Sequence, residues 1–252
     1  MNEVVGTRLV RFEGASNFRD LGGYASALGG LVRWGTVFRA GRLDRLTPSD
    51  LEEFTALGIR TVFDLRREDE RAQWPDPMPN VHLCLMSKVQ AKRPLPHAEL
   101  LVEHDHGVQF MRDLYHGLLA HAAVEIGSLF MTLAQPDAMP AVFHCAVGKD
   151  RTGLVAALLL TWLGVDRETV LDDFELSDEH VGQAQREELL LRMADRGIGP
   201  EAAAGILGAS RESMQDALDE LDVHYGGIEH YLRRHCGVDH AALLTLRRTL
   251  LV

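Results

Sequence analysis

His144-Cys145-Ala146-Val147-Gly148-Lys149-Asp150-Arg151-Thr152-Gly153 is the stretch that decides the reading of this chain. Ala141-Val142-Phe143, a short apolar strand, runs straight into it, and the apolar run Leu154 to Leu163 follows as a helix that Arg151 opens. The five residues between Cys145 and Arg151 must therefore curl between a strand end and a helix start. A loop so placed can aim successive backbone N–H groups inward and add the positive end of a helix dipole, which makes a cradle for a dianionic phosphate. Arg151 supplies a planar fork of donors for two phosphate oxygens. The same field favours the thiolate of Cys145, the form in which cysteine is a nucleophile. Gly148 lets the backbone turn close to a ligand. The backbone of Ala146, Val147, Gly148 and Lys149 would line the cradle, and Thr152 could hydrogen-bond the Cys145 sulfur.

Strands and helices alternate ahead of this loop. Thr47-Pro48-Ser49-Asp50 announces a helix with Thr47 as N-cap and Asp50 reaching back. Leu51, Phe54 and Leu57 share its inner face, and Gly58 ends it. Arg60 to Leu65 reads as a buried strand, and Val81 to Leu85 as a second. Residues 86–106 carry Lys88, Lys92, Arg93, Pro94, Pro96 and three histidines with little periodicity, so they read as an exposed loop or short lid. From Gly107 to Leu133 one helical pattern runs until Pro136-Asp137 breaks it. The remainder, to Val252, is helical with breaks at Gly197, Gly199-Pro200 and Gly226-Gly227. The expectation is one α/β domain over residues 1–252: a central, mostly parallel sheet flanked by helices, with extra C-terminal helices and the loop at the carboxyl edge where ligands bind in such sheets.

Composition narrows the partners. In 252 residues, hydrophobic side chains make up 46% and charged ones 25%, enough apolar material for a core. Twenty-six Lys and Arg against 37 Asp and Glu give a net charge of −11, which excludes a non-specific nucleic-acid binder. The three cysteines, Cys84, Cys145 and Cys236, form no disulfide framework in a chain this size and point to a reducing compartment. The first residues show no basic flank before an apolar run, and Leu154 to Val165 is too short to span a bilayer. A cytoplasmic protein without stable membrane insertion is expected, with signal-independent secretion left open. Histidines at 97, 104, 106, 116 and 121 match no metal-ligand spacing, so no metal and no cofactor is expected.

The loop resembles that of the cysteine-dependent protein tyrosine phosphatases, the Cys-x5-Arg superfamily. With Lys149 and Asp150 before the arginine, it is most similar to the atypical bacterial branch. Asn17-Phe18-Arg19-Asp20, Leu57-Gly58-Ile59, Asp64-Leu65-Arg66 and Tyr231-Leu232-Arg233 resemble further motifs of that branch. The resemblance covers roughly residues 15–250, with 86–106 outside it. It implies the tyrosine-phosphatase fold and phosphomonoester hydrolysis through a phosphocysteine on Cys145. The substrate would be phosphotyrosine in proteins, with phosphoserine or phosphothreonine alongside.

The resemblance also assigns the general acid to Asp150; capping the helix or orienting Arg151 is its plainer role. Trp74-Pro75-Asp76 spells the acid motif of mammalian-type tyrosine phosphatases, but it lies far upstream of Cys145, ahead of a strand, where a Pro-rich turn explains it. Lys149 reads as a second cation facing substrate, or as a solvated loop lysine. The same loop lysine occurs in phosphoinositide phosphatases, which keeps that substrate open. His144, Arg19, Asp20, Asp64 and Arg66 are candidates for a buried ionic shell beneath the loop, or for plain structural pairs. A phosphate-binding module without activity is the non-enzymatic alternative, and the joint presence of Cys145, Asp150, Arg151 and Thr152 argues against it. Cys84 or Cys236 could resolve an oxidised Cys145. Oligomeric state is not readable.

Overall fold

The computed structural model describes residues 8–92 and 106–252. Its sheet has the order β1-β2-β5-β3-β4, with β1 Arg19–Asp20, β2 Val37–Ala40, β3 Thr61–Asp64, β4 Val81–His82 and β5 Ala141–His144. Only β1 runs antiparallel to its neighbour; β2, β5, β3 and β4 are parallel, as expected from the alternation of elements. Side chains alternate between two cores as the pleat requires. Phe38, Val62 and Val142 face a small cluster with Phe18, Leu43 and Phe54, whereas Val37, Phe63, Ala141 and Phe143 face a large one.

The small cluster is roofed by α1, Pro48–Ala56. Thr47 Oγ1 accepts from Asp50 N–H and Asp50 accepts from Thr47 N–H, the reciprocal cap read from the sequence. The opposite face carries α4 His106–His121, α5 Ala123–Leu133, α6 Asp150–Trp162, α7 Arg167–His180, α10 Arg211–Tyr225 and α11 His240–Leu250. Short helices α2 Glu68–Gln73 and α3 Ser87–Lys92 follow β3 and β4; α8 Gln183–Ala194 and α9 Pro200–Leu207 link α7 to α10. Helix α6 is buried on nearly every side, with Leu154, Leu158 and Leu160 fully enclosed. Each such leucine contributes about 1.5–3 kcal/mol of burial.

Three expectations change in detail. The pattern from Gly107 to Leu133 is two helices, α4 and α5, bent by 67° at Ala122, a break no Gly or Pro marks. The strand expected over Val81–Leu85 pairs only through Val81–His82. The stretch expected to be a loop from residue 86 begins as helix α3, with Met86 and Val89 in the large core. Residues 93–105 of that expected lid, with His97 and His104, lie outside the described residues. Among the described residues no single helix is long and apolar enough to cross a membrane.

The register sets the site. Ala40 and Asp64 both pair with His144 across the sheet. The chain therefore leaves β2, β5 and β3 at one level, placing Gly41, Cys145 and Leu65 along the same carboxyl edge.

Candidate active site

Cys145 leaves the central strand buried, and α6 begins at Asp150. Between them the backbone is held from outside. The carbonyl of Ala146 accepts from Gln185 Nε2 at 3.2 Å, that of Val147 from Asn17 Nδ2 at 3.2 Å, and that of Gly148 from Arg39 Nη2 at 2.8 Å. In a trans peptide the N–H points opposite to the C=O of the same unit. Three outward carbonyls therefore turn the N–H groups of Val147, Gly148 and Lys149 inward. Gly148 N–H lies 3.3 Å from Cys145 Sγ, on the inner side. Gly148 has φ +76°, and a Cβ there would stand 2.5 Å from the Ala40 carbonyl, so the turn excludes any side chain. No side chain caps α6, which leaves its first N–H groups and its dipole facing the same hollow.

Arg151, in the first turn of α6, is gripped by Glu70 of α2 through two hydrogen bonds of 2.6 and 3.0 Å. Burial alone would weaken its hold on its proton, but the neighbouring Cys145 charge and Glu70 raise its pKa beyond the ordinary arginine value. Glu70 is shifted the other way. Burial pushes its carboxyl up, and Arg151 together with the Arg67 N–H bring it below the usual range. Asp150 Oδ1 accepts from Tyr115 Oη at 2.9 Å and lies 3.3 Å from Lys149 Nζ. Burial and Asp150 hold the Tyr115 phenol well above its ordinary pKa, so it stays a donor. The Asp150 side chain keeps 24% of its exposure, whereas that of Asp76 has none.

Several expectations are corrected here. Lys149 neither faces a substrate nor reaches solvent: its buried Nζ donates to the carbonyls of Ile206 and Gly208 at 2.6 and 2.7 Å. Those carbonyls end α9, the negative end of a helix, which attracts an ammonium. Thr152 Oγ1 is buried with no hydrogen-bond partner, so the expected bond to the Cys145 sulfur is not formed. The single ionic shell expected beneath the loop is two clusters. On the β2 side, Arg19 and Arg39 share Asp173 of α7 at 3.2 and 2.6 Å. On the β3 side, Arg66 bridges Asp64 at 2.8 Å and Asp76 at 2.9 Å, while His144 Nε2 lies 3.1 Å from Asp76. Asp20 belongs to neither; it accepts from the N–H groups of Gly22 and Gly35 and fixes a turn.

Asp64, Asp76 and His144 bring three potential metal ligands together. Arg66 already binds both carboxylates, and Arg71 Nε lies 3.2 Å from Asp64, so a cation entering there would meet a guanidinium. His116 pairs with Glu220 on α10, away from any such cluster. The Trp74 ring lies between the guanidiniums of Arg42 and Arg192, 4.3 and 4.8 Å from its centre.

Glu70, Tyr115, Arg39, Asp173 and Gln185 were not singled out from the sequence. Two of them carried a signal: Arg39 interrupts the apolar run Val37-Phe38-Ala40, and Asp173 sits among Val170, Leu171 and Phe174. A charge on an apolar face must be paired or used.

Comparison with known proteins agrees with this geometry. A profile described as the tyrosine phosphatase family matches residues 10–252. A Cupriavidus necator protein assigned as a tyrosine-protein phosphatase is 30% identical over 256 residues, covering 95% of this chain and 88% of its own. The triple specificity protein phosphatase PtpB of Mycobacterium tuberculosis is 29% identical over 273 residues, covering 94% and 97%. A tyrosine-protein phosphatase of Nostoc commune is 29% identical over 205 residues, covering 77% and 67%.

Proposed function

The chain belongs to the tyrosine phosphatase family, and from that premise we propose how its loop carries out the family's hydrolysis of phosphomonoesters through a phosphocysteine. Cys145 Sγ attacks phosphorus in line with the leaving oxygen. The S–P bond forms, the P–O bond breaks, and the leaving oxygen takes a proton from Asp150. A water then attacks phosphorus and gives its proton back to Asp150 as the P–S bond breaks and the thiolate is released. Arg151, held flat by Glu70, and the inward N–H groups of Val147, Gly148 and Lys149 stabilise the equatorial oxygens in both steps.

The outward anchoring of the Ala146, Val147 and Gly148 carbonyls carries this reading, because it leaves a ring of donors in place before any phosphate arrives. Asp150 is the acid in preference to Asp76. It is partly exposed beside the hollow, with Oδ1 held by Tyr115 and Lys149, whereas Asp76 is sealed beneath the strand with Arg66 and His144. The substrate we assign is phosphotyrosine in proteins. Activity on phosphoserine and phosphothreonine is a further part of the proposal, in keeping with the name of the mycobacterial relative. A phosphoinositide head group fits less well, since Lys149 would first have to leave Ile206 and Gly208.

The test is phosphate release from a phosphotyrosine peptide and from a phosphoinositide panel, with Cys145→Ser as the blank. Peptide turnover that disappears in the variant is the expected result. Dominant lipid turnover would overturn the substrate assignment, and turnover surviving in Cys145→Ser would overturn the mechanism.

A further inference from the structure

Arg39 is fully buried in β2 and takes no part in the steps above. One arm of its fork binds Asp173 Oδ2 at 2.6 Å. The other donates to the Gly148 carbonyl at 2.8 Å and lies 3.4 Å from that of Lys149. A Cβ on Gly153 would come 3.3 Å from Nη2, so the guanidinium is wedged between the strand and the first turn of α6. Asp173 is not its private partner. Arg19 Nε binds the same carboxylate at 3.2 Å, and Tyr24 Oη donates to it at 2.9 Å. Two guanidiniums thus meet one carboxylate where no water reaches. Burial and Arg19 bring Arg39 down to about 10, against the pull of Asp173 and of Cys145. An unbalanced buried cation is costly unless an anion lies nearby. The loop that Arg39 holds has Cys145 on its inner side, where a phosphate dianion would bind.

We propose that Arg39 is a positioning residue for the hydrolysis: it locks the Gly148 carbonyl outward and supplies the unbalanced positive charge that keeps Cys145 reactive. This rests on the reading of Cys145 as the nucleophile. Arg39 adds to Arg151 rather than replacing it. Arg151 on α6 interacts with the Cys145 charge but is also paired with Glu70 on α2, and Lys149 is drawn to the end of α9 and to Asp150. Tyr115 on α4 is neutral and bound to Asp150. His144 in β5 faces Asp76, which Arg66 also holds. Among these groups, Arg39 and Arg19 are the two cations that share a single carboxylate.

The experiment is the pH dependence of Cys145 alkylation by iodoacetamide, followed on the Cys145 peptide by mass spectrometry so that Cys84 and Cys236 do not interfere. Arg39→Met should lower the rate at about pH 6, relative to its own rate at about pH 9, roughly tenfold more than in the wild type. Arg39→Lys keeps the charge but not the fork. It should retain most of the wild-type profile and yet weaken inhibition by inorganic phosphate several-fold. A wild-type profile in folded Arg39→Met overturns the inference. Should Arg39→Met fail to fold, Arg39→Lys decides: a preserved profile with weakened phosphate inhibition supports the role, and a lost profile or unweakened inhibition overturns it. A wild-type Cys145 no more reactive at about pH 6 than free cysteine would instead remove the nucleophile itself, a different failure from that of Arg39.

Discussion

The two flanks of β5 solve the burial of charge in opposite ways. On the β3 flank nearly every charge has a partner: Arg66 with Asp64 and Asp76, Arg71 with Asp64, Arg151 with Glu70. On the β2 flank Arg19 and Arg39 divide one carboxylate, Asp173. The balanced flank reaches the hollow through a side chain, by the grip of Glu70 on Arg151. The unbalanced flank reaches it through the backbone, by the hold of Arg39 on Gly148. A neutral cluster can brace a guanidinium without altering the local potential, whereas an excess of positive charge changes it.

This contrast can be broken at several points. The largest effect is expected at the balanced flank's outlet: Arg151→Lys, which cannot make the paired bonds, should lower kcat about 10³-fold. The acid assignment comes next. Asp150→Asn should slow phenyl phosphate about 10²-fold while leaving p-nitrophenyl phosphate much less affected. Asp76→Asn should show no such leaving-group dependence, and if it does, the acid lies on the β3 flank after all. Glu70→Gln keeps the shape of the grip but not its charge and should cost about 10-fold in kcat/KM.

Smaller effects fall on stability. Asp173→Asn strands two guanidiniums and should cost about 3 kcal/mol in denaturant unfolding, more than Asp76→Asn, because Arg66 retains Asp64. If the two variants unfold alike, the asymmetry of the flanks has no energetic counterpart. Acid should act on both flanks. Burial pushes the Asp64, Glu70 and Asp173 carboxyls up, but their arginine partners bring each below its ordinary value. Their contribution is therefore present above the unfolded value of about 4 and lost as pH falls through the folded values. The melting temperature should hold steady above about pH 5 and drop below it.

The strand, tight turn and helix start around Cys145 were legible because they are local and follow within ten residues. The cap at Thr47 and the strand at Thr61–Asp64 were legible for the same reason. What failed was whatever depended on distant chain. Lys149 was read as facing substrate because the end of α9, which captures its ammonium, lies more than fifty residues further on. Arg19, Asp64 and Arg66 are buried charges, and Asp64 with Arg66 makes a plain ion pair, one of the two alternatives read from the sequence; only Arg19 is drawn elsewhere, to Asp173 on the other flank. Ala122 gave no sign of the bend between α4 and α5, because a small apolar residue fits a helix as well as a break. The helix α3 was missed because Ser87 and Lys88 precede a single buried apolar residue, Val89, too little to show a helical period.

The anchoring of the loop also bears on the order in which the protein acquires its chemistry during synthesis. Asn17 and Arg39 are made before Cys145, but Asp173 and Gln185 come after it. A growing chain that has emerged only as far as α6 has the sulfur and Arg151, but not the carboxylate that seats Arg39 nor the amide that turns Ala146. Until α7 and α8 dock, two of the holds that shape the loop around the sulfur are missing. The shape of the loop is thus completed only by chain made after its own cysteine, so loop and nucleophile mature together with the C-terminal helices.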